Sequence, residues 1–286
     1  MTDGARVVDS HQHFWDLESG GYKWLGPQYG AINRSFGVHD VESLAAAAGV
    51  DDVILVQADD TLEDTDAMIA IADAWPRVAG IVAWAPLTDE VALPVVLARY
   101  AADPRIVGIR HLMHEEPDSD WVVSTAVGHG LAALEQAALV YDVVAVLPRH
   151  LEHVPTLAAR YPSLNLVIDH LAKPPIAAGG WGPWADLIAA AAKHANVSAK
   201  VSGLDTAADP NNYTAAAIRP YLEHALEHFG ADRLMFGSDW PVSALAGGYA
   251  TWWGTVSELV AALSTDERSA ILGGTARAVY NLEELS

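Results

Sequence analysis

Eight short apolar runs, each leading into a stretch with helical spacing, limit the folds open to this chain. They are Val7–Val8, Val53–Gln57, Val78–Trp84, Ile106–Arg110, Val143–Leu147, Leu164–Ile168, Val197–Val201 and Leu234–Phe236. β-Branched residues dominate these runs, as expected of strands covered on both faces in a parallel sheet. Helical spacing follows in Val41–Ala48 (stopped by Gly49), Thr65–Trp75, Glu90–Ala101 and Ser124–Ala138. Eight such units in 286 residues fit one closed (β/α)8 barrel, the TIM-barrel form of the α/β class. An open doubly wound sheet is the other arrangement of these units, but no glycine-rich turn follows the first run. No linker, internal repeat or low-complexity tract interrupts the chain, so one domain over residues 1–286 is expected.

Charge narrows the partners. Sixteen Lys+Arg against 37 Asp+Glu leave a net charge of −21, which repels phosphate backbones and anionic lipid. A small molecule is therefore expected as partner, with no nucleic acid and no membrane, and with the chain a monomer or homodimer. The absence of cysteine excludes disulfides, thiolate metal sites and a cysteine nucleophile. No basic start leads into an apolar stretch, and no apolar run reaches the ~20 residues that span a bilayer; a cytoplasmic protein is expected.

In a (β/α)8 barrel the C-terminal strand ends carry the chemistry. His11 and His13 follow the first run, Arg110 and His111 the fourth, Arg149 and His150 the fifth, and His170 and Lys173 the sixth; Lys200 lies on the seventh and Asp239 follows the eighth. Side chains alternate along a strand, so His11 and His13 face the same side, where they can bind a metal or a small polar ligand. Each position also has an ordinary structural explanation. His170 can cap a loop, Lys173 can be solvated, Lys200 can be an outward strand residue, and His150 reads as an exposed start of a helix. His39, His114, His129, His153, His194, His224 and His228 read as loop or helix-surface residues. The loop from Asp16 to Gly37, rich in Gly, Tyr and Trp, is long for a compact domain and reads as a lid or binding loop.

Several of these segments stand in a recognisable order: His11-Gln12-His13, Gly108-Ile109-Arg110-His111, Asp169-His170-Leu171-Ala172-Lys173-Pro174, Lys200-Val201-Ser202-Gly203-Leu204 and Phe236-Gly237-Ser238-Asp239-Trp240-Pro241. With the Glu116-Pro117-Asp118 loop and the closing Gly273-Gly274-Thr275-Ala276-Arg277 segment, the whole chain resembles the amidohydrolase superfamily. Within it, the pattern is similar to the branch of sugar lactonases and pyrone-dicarboxylate lactonases. The resemblance implies a barrel hydrolase that opens a small lactone, with His11, His13, His170 and Asp239 at the metal-site positions and Asp239 as general base. Two-metal relatives carry a bridging lysine or glutamate after the fourth strand; here Arg110-His111 stands there, and a guanidinium cannot bridge two cations. At most one divalent ion is implied, zinc first and manganese second, and the pyrone lactonases of the branch work without metal.

Lactone hydrolysis needs an activated water, a polarised carbonyl and a stabilised oxyanion. Asp239 suits the first task. A metal, or N–H groups of His11, His13 and His170, suits the other two. Arg110, His111, Lys173 and Lys200 are expected to contact substrate, with Arg110 serving recognition rather than the fold. Trp84, Trp15 and Trp240 are candidates for stacking on the ring. A decarboxylase or amide hydrolase built on the same residues, and a silent binding barrel, are the alternatives.

Overall fold

The structure is a computed structural model that describes residues 6–19 and 21–282. Eight strands run in the order β1 to β8, each parallel to its neighbours. They are β1 (Val8–Gln12), β2 (Asp52–Val56), β3 (Val78–Ala83), β4 (Ile106–His111), β5 (Val140–Val143), β6 (Leu166–Ile168), β7 (Val197–Val201) and β8 (Leu234–Phe236). Helices lie between consecutive strands, as the alternation of apolar runs and helical spacing predicts. Thr61, Ser124 and Thr214 each begin a helix by accepting a backbone N–H, which satisfies one donor the helix cannot.

The sheet closes just beyond β8. Gln12 pairs with Trp240, His13 N–H donates to the Trp240 carbonyl at 2.7 Å, and Asp239 N–H donates to the His11 carbonyl at 2.9 Å. Lower down, Ser10 Oγ donates to the Phe236 carbonyl at 2.6 Å. The arrangement is the (β/α)8 barrel expected from the sequence. Among the described residues no helix is long and apolar enough to cross a membrane.

The barrel interior is layered. Val8, Ile54, Val82, Val140, Val167 and Met235 form an apolar floor with Tyr280 from the chain's end. Above it Lys200 and Asp142 are fully buried, and Asp169 is almost so. A bulge in β1 brings the first histidines to this interior: between Asp9 and Gln12 the strand advances three residues while β2 advances two. Strict alternation from Val8 would place His11 on the opposite face. The extra residue restores His11 and His13 to the inside, while Asp9, next to inward Val8, points outward and accepts from Ser238 N–H at 2.7 Å and Tyr249 Oη at 3.0 Å.

One strand differs from expectation. The fifth was predicted over Val143–Leu147, yet β5 spans Val140–Val143 and the later residues form its exit loop. Asp142 interrupts the apolar pattern in the sequence but belongs inside the barrel, paired with Lys200. Val146 and Leu147, which look like strand residues, are 40% and 48% exposed.

Gly237 marks the tightest approach at the seam, because a Cβ there would stand 2.7 Å from His11 Cβ. Gly237→Ala should therefore lower stability by about 1–3 kcal/mol, the range for overpacking, and displace His11. Urea unfolding together with activity of the folded fraction checks this.

Candidate active site

His13, His170, Asp239, Arg110 and Lys173 line a cavity of about 230 Å³ at the C-terminal rim. Two left-handed stretches aim the later residues into it. His170 to Lys173 all have positive φ, between 47° and 59°, and Asp239 has φ 52°. Four consecutive non-glycine residues in this sparsely used region, and Asp239 apart from them, make strained positions that the surrounding packing must hold. Gly203 (φ +58) leaves the room they need, since a Cβ there would lie within 2.9 Å of Lys173 Nζ, Asp239 Oδ2 and His170 Nδ1.

Asp239 Oδ1 lies 3.8 Å from His11 Nε2, 3.6 Å from His13 Nε2 and 3.9 Å from His170 Nε2. Each ring is oriented from behind. His13 Nδ1 donates to the Val56 carbonyl at 2.7 Å, which leaves the lone pair of a neutral ring on Nε2. His170 Nδ1 meets Ser202 Oγ at 2.8 Å. His11 Nδ1 has Lys200 Nζ at 3.1 Å and Asp169 Oδ1 at 3.3 Å, and its Nε2 stands 3.0 Å from that of His13.

Burial lowers the pKa of all three imidazoles, for His170 to about 3, with Lys200 adding to the effect on His11 and Arg110 to that on His13. They are neutral at physiological pH. Burial acts in the opposite sense on Asp239, but the surrounding groups, His170 first and then the Lys173 ammonium, outweigh it and hold the carboxyl below its ordinary value. The same contest keeps Asp169 ionised, with Lys200 the main opponent of burial, whereas burial prevails at Asp142 and pushes it up to about 6.

The donor set fits one divalent ion. Ligands about 2.0–2.1 Å from a tetrahedral zinc are separated by about 3.3 Å; here the Nε2 atoms of His11 and His13 are 3.0 Å apart, and those of His11, His13 and His170 stand 3.6–3.9 Å from Asp239 Oδ1. Asp239 Oδ2 is buried without a hydrogen-bond partner, and His11, His170 and Asp239 all present ligand atoms within 4.8 Å of one another. Against a second ion stands Arg110, whose Nη1 lies 3.3 Å from His11 Nε2.

Other residues singled out in the sequence lie elsewhere. Lys200, an expected substrate contact, is fully buried below the cavity, because the carboxylates of Asp142 and Asp169 hold its ammonium there. His111 turns aside to Glu116 Oε1 at 2.8 Å and stacks on Trp121. Trp84 donates from its indole to His111 Nδ1 at 3.3 Å, one layer behind the wall. Trp15 and Trp240 are buried in an aromatic cluster with Phe36. Arg110 reaches the cavity but also donates to Asp169 Oδ2 and the Gln57 carbonyl, so it serves the fold, which was not expected of it. His150 is buried in the first turn of its helix, and Arg149 pairs with Asp120 and Glu152.

The long loop supplies Trp24 and Tyr29 to the wall, and His114, which reads as a surface residue, lines the cavity too. Asp205 carries no signal in the sequence. It is buried with both oxygens unpartnered, and burial and the charge of Asp239 push its carboxyl up to about 7.

The amidohydrolase family profile matches residues 8–282. The chain belongs to the amidohydrolase family. An L-fucono-1,5-lactonase of Burkholderia ambifaria is 38% identical, with 98% of this chain and 97% of that one aligned. A second L-fucono-1,5-lactonase, from Burkholderia multivorans, is 34% identical with 98% of each covered. Among solved structures, an amidohydrolase from Burkholderia multivorans with bound zinc superposes with a TM-score of 0.90 at 33% identity, over 98% of this chain and 100% of that one.

Two outcomes follow for this amidohydrolase. Lys200→Met would leave Asp142 buried beside no cation and Asp169 with Arg110 alone, and should cost about 3–5 kcal/mol in urea unfolding; loss confined to KM at full stability would make Lys200 a substrate contact after all. The second concerns acid. Unfolded histidines titrate near 6.5 while folded His170 titrates near 3, so below pH 6.5 the unfolded state takes up protons first. Stability is full above that pH and declines below it by up to about 1.4 kcal/mol per pH unit for each such imidazole. Urea midpoints at pH 7.5, 6 and 5 in chelator read this, and His170→Gln should flatten the dependence.

Proposed function

We propose that this amidohydrolase opens a small sugar lactone to its hydroxy acid, with an L-fucono-1,5-lactone-type ring as first candidate. What carries the reading is a single oxygen, Asp239 Oδ1, facing three neutral imidazoles on a cavity floor. Its chain is 38% identical over nearly its full length to an L-fucono-1,5-lactonase.

Asp239, ionised at neutral pH, accepts a proton from water as the water oxygen bonds to the lactone carbonyl carbon. Negative charge moves to the carbonyl oxygen, where an Nε2–H of His11 or His170 can donate to it, while His13, with its lone pair on Nε2, suits a metal ion instead. A divalent ion, zinc first, held there by His11, His13, His170 and Asp239, would polarise that carbonyl and acidify the water. When the carbonyl re-forms, the bond to the ring oxygen breaks, and that oxygen leaves with the proton Asp239 had taken. Water and lactone thus sum to the hydroxy acid with nothing oxidised or reduced.

Recognition falls to the walls. Lys173, with Nζ 3.7 Å from Asp239 Oδ2, and Arg110 present cationic N–H groups to ring hydroxyls. Trp24 and Tyr29 offer flat faces on which the less polar side of a sugar ring can rest.

A pH-indicator screen of aldonolactones, run with and without chelator, tests the reading; failure to open any of them overturns it. Asp239→Asn keeps the shape but removes the base, and should leave a folded protein slowed by at least ~100-fold. Near wild-type turnover in that variant would exclude Asp239 as the base.

A further inference from the structure

A second set of metal-ligating side chains lies outside the cavity, on the helix Ala215–Phe229. His224, Glu227 and His228 each present a ligand atom, all within 4.8 Å of one another, and none of the three is buried. Residues four apart on a helix are neighbours on one face, and the two imidazole centroids are 4.5 Å apart.

Three further features favour a cation here. The group occupies the last two turns of its helix, where the unpaired carbonyls leave partial negative charge. The chain as a whole carries −21, so a cation approaches without general repulsion. His224 is also pre-set. Its Nε2 donates to the Ala185 carbonyl at 2.9 Å, and its ring is wedged against Trp181 and Trp184 at centroid distances of 5.0 and 5.5 Å. A carbonyl can only accept, so that bond places the proton on Nε2 and leaves the Nδ1 lone pair for a metal. A backbone carbonyl behind a coordinating histidine is the usual way its tautomer is fixed.

We propose that His224, Glu227 and His228 form a peripheral binding site for a late first-row divalent ion: copper(II), zinc or nickel. Two imidazoles and one carboxylate suit these metals and disfavour magnesium and calcium, which prefer all-oxygen sites. Water completes the coordination sphere, so the ion is held more weakly than at the enclosed centre. A bound ion would tie the end of this helix, through His224, to the helix Trp184–Ala192 that carries Ala185. The site shares no residue with the proposed lactonase centre, and the proposal does not depend on that reading.

The test uses the full-length protein stripped with chelator. Zinc uptake is followed by equilibrium dialysis with elemental analysis, and copper(II) binding by quenching of tryptophan fluorescence, since Trp181 and Trp184 touch His224. Wild type should take up a weaker zinc ion that His228→Ala loses or binds at least tenfold less tightly, with the copper quench reduced in parallel. Asp239→Asn should keep this weaker ion whether or not the buried centre binds zinc. Turnover in His228→Ala should equal wild type. Uptake of the weaker ion and quenching unchanged in His228→Ala would overturn the assignment, as would a wild type that shows neither.

Discussion

One buried ammonium underlies the rest of this barrel. Lys200 reaches the interior from β7 and meets carboxylates from β5 and β6 and an imidazole from β1. A lone charge at that depth would be untenable, and a lone carboxylate no better. Together the groups satisfy one another, and Tyr280 from the chain's end closes the set by donating to Asp142 Oδ1 at 2.7 Å. The polar plug separates an apolar floor from a reactive rim. It also presses two opposed partners on His11: a donor in Lys200 and an acceptor in Asp169. Which of them holds Nδ1 decides whether Nε2 offers a hydrogen or a lone pair to the cavity, and so how His11 can share in binding a metal or steadying an oxyanion.

The rim illustrates how function and conformational cost coincide. His170 to Lys173 and Asp239 stand in backbone conformations that side chains seldom adopt, in a chain whose glycines were free to be placed there. Glycines fall at Gly203, whose φ of +58 needs torsion as well as room, and at Gly237, where room alone is required. Strain is thus concentrated on the turns that bring His170, Lys173 and Asp239 to the cavity, and is held by the packing around them.

Much of this was legible in the sequence. The strand count, the closed barrel and the convergence of His11, His13, His170 and Asp239 follow from period, length and motif order. The partners of Lys200 were not legible: its place on the seventh strand was, but only the closed barrel brings the carboxylates of Asp142 and Asp169 to its ammonium. Asp142 concealed β5 because a charge facing the inside of a barrel breaks the apolar pattern used to find strands. Trp24, Tyr29 and His114 sit on loops, which have no period to read. Asp205 has no signature at all, since its character comes wholly from being enclosed beside another acid.

The closure of the barrel has a mechanical consequence. The hydrogen bonds that join the first strand to the region after the last come from the backbones of His11, His13, Asp239 and Trp240, so the fastening of the cylinder and the reactive centre are one object. Any breathing motion that unzips this join also pulls the carboxylate away from its imidazoles. Local opening free energy and catalytic alignment therefore share a coordinate, and a ligand that clasps the two sides works as a rivet: it holds the cylinder shut by occupying the place where it would first come apart.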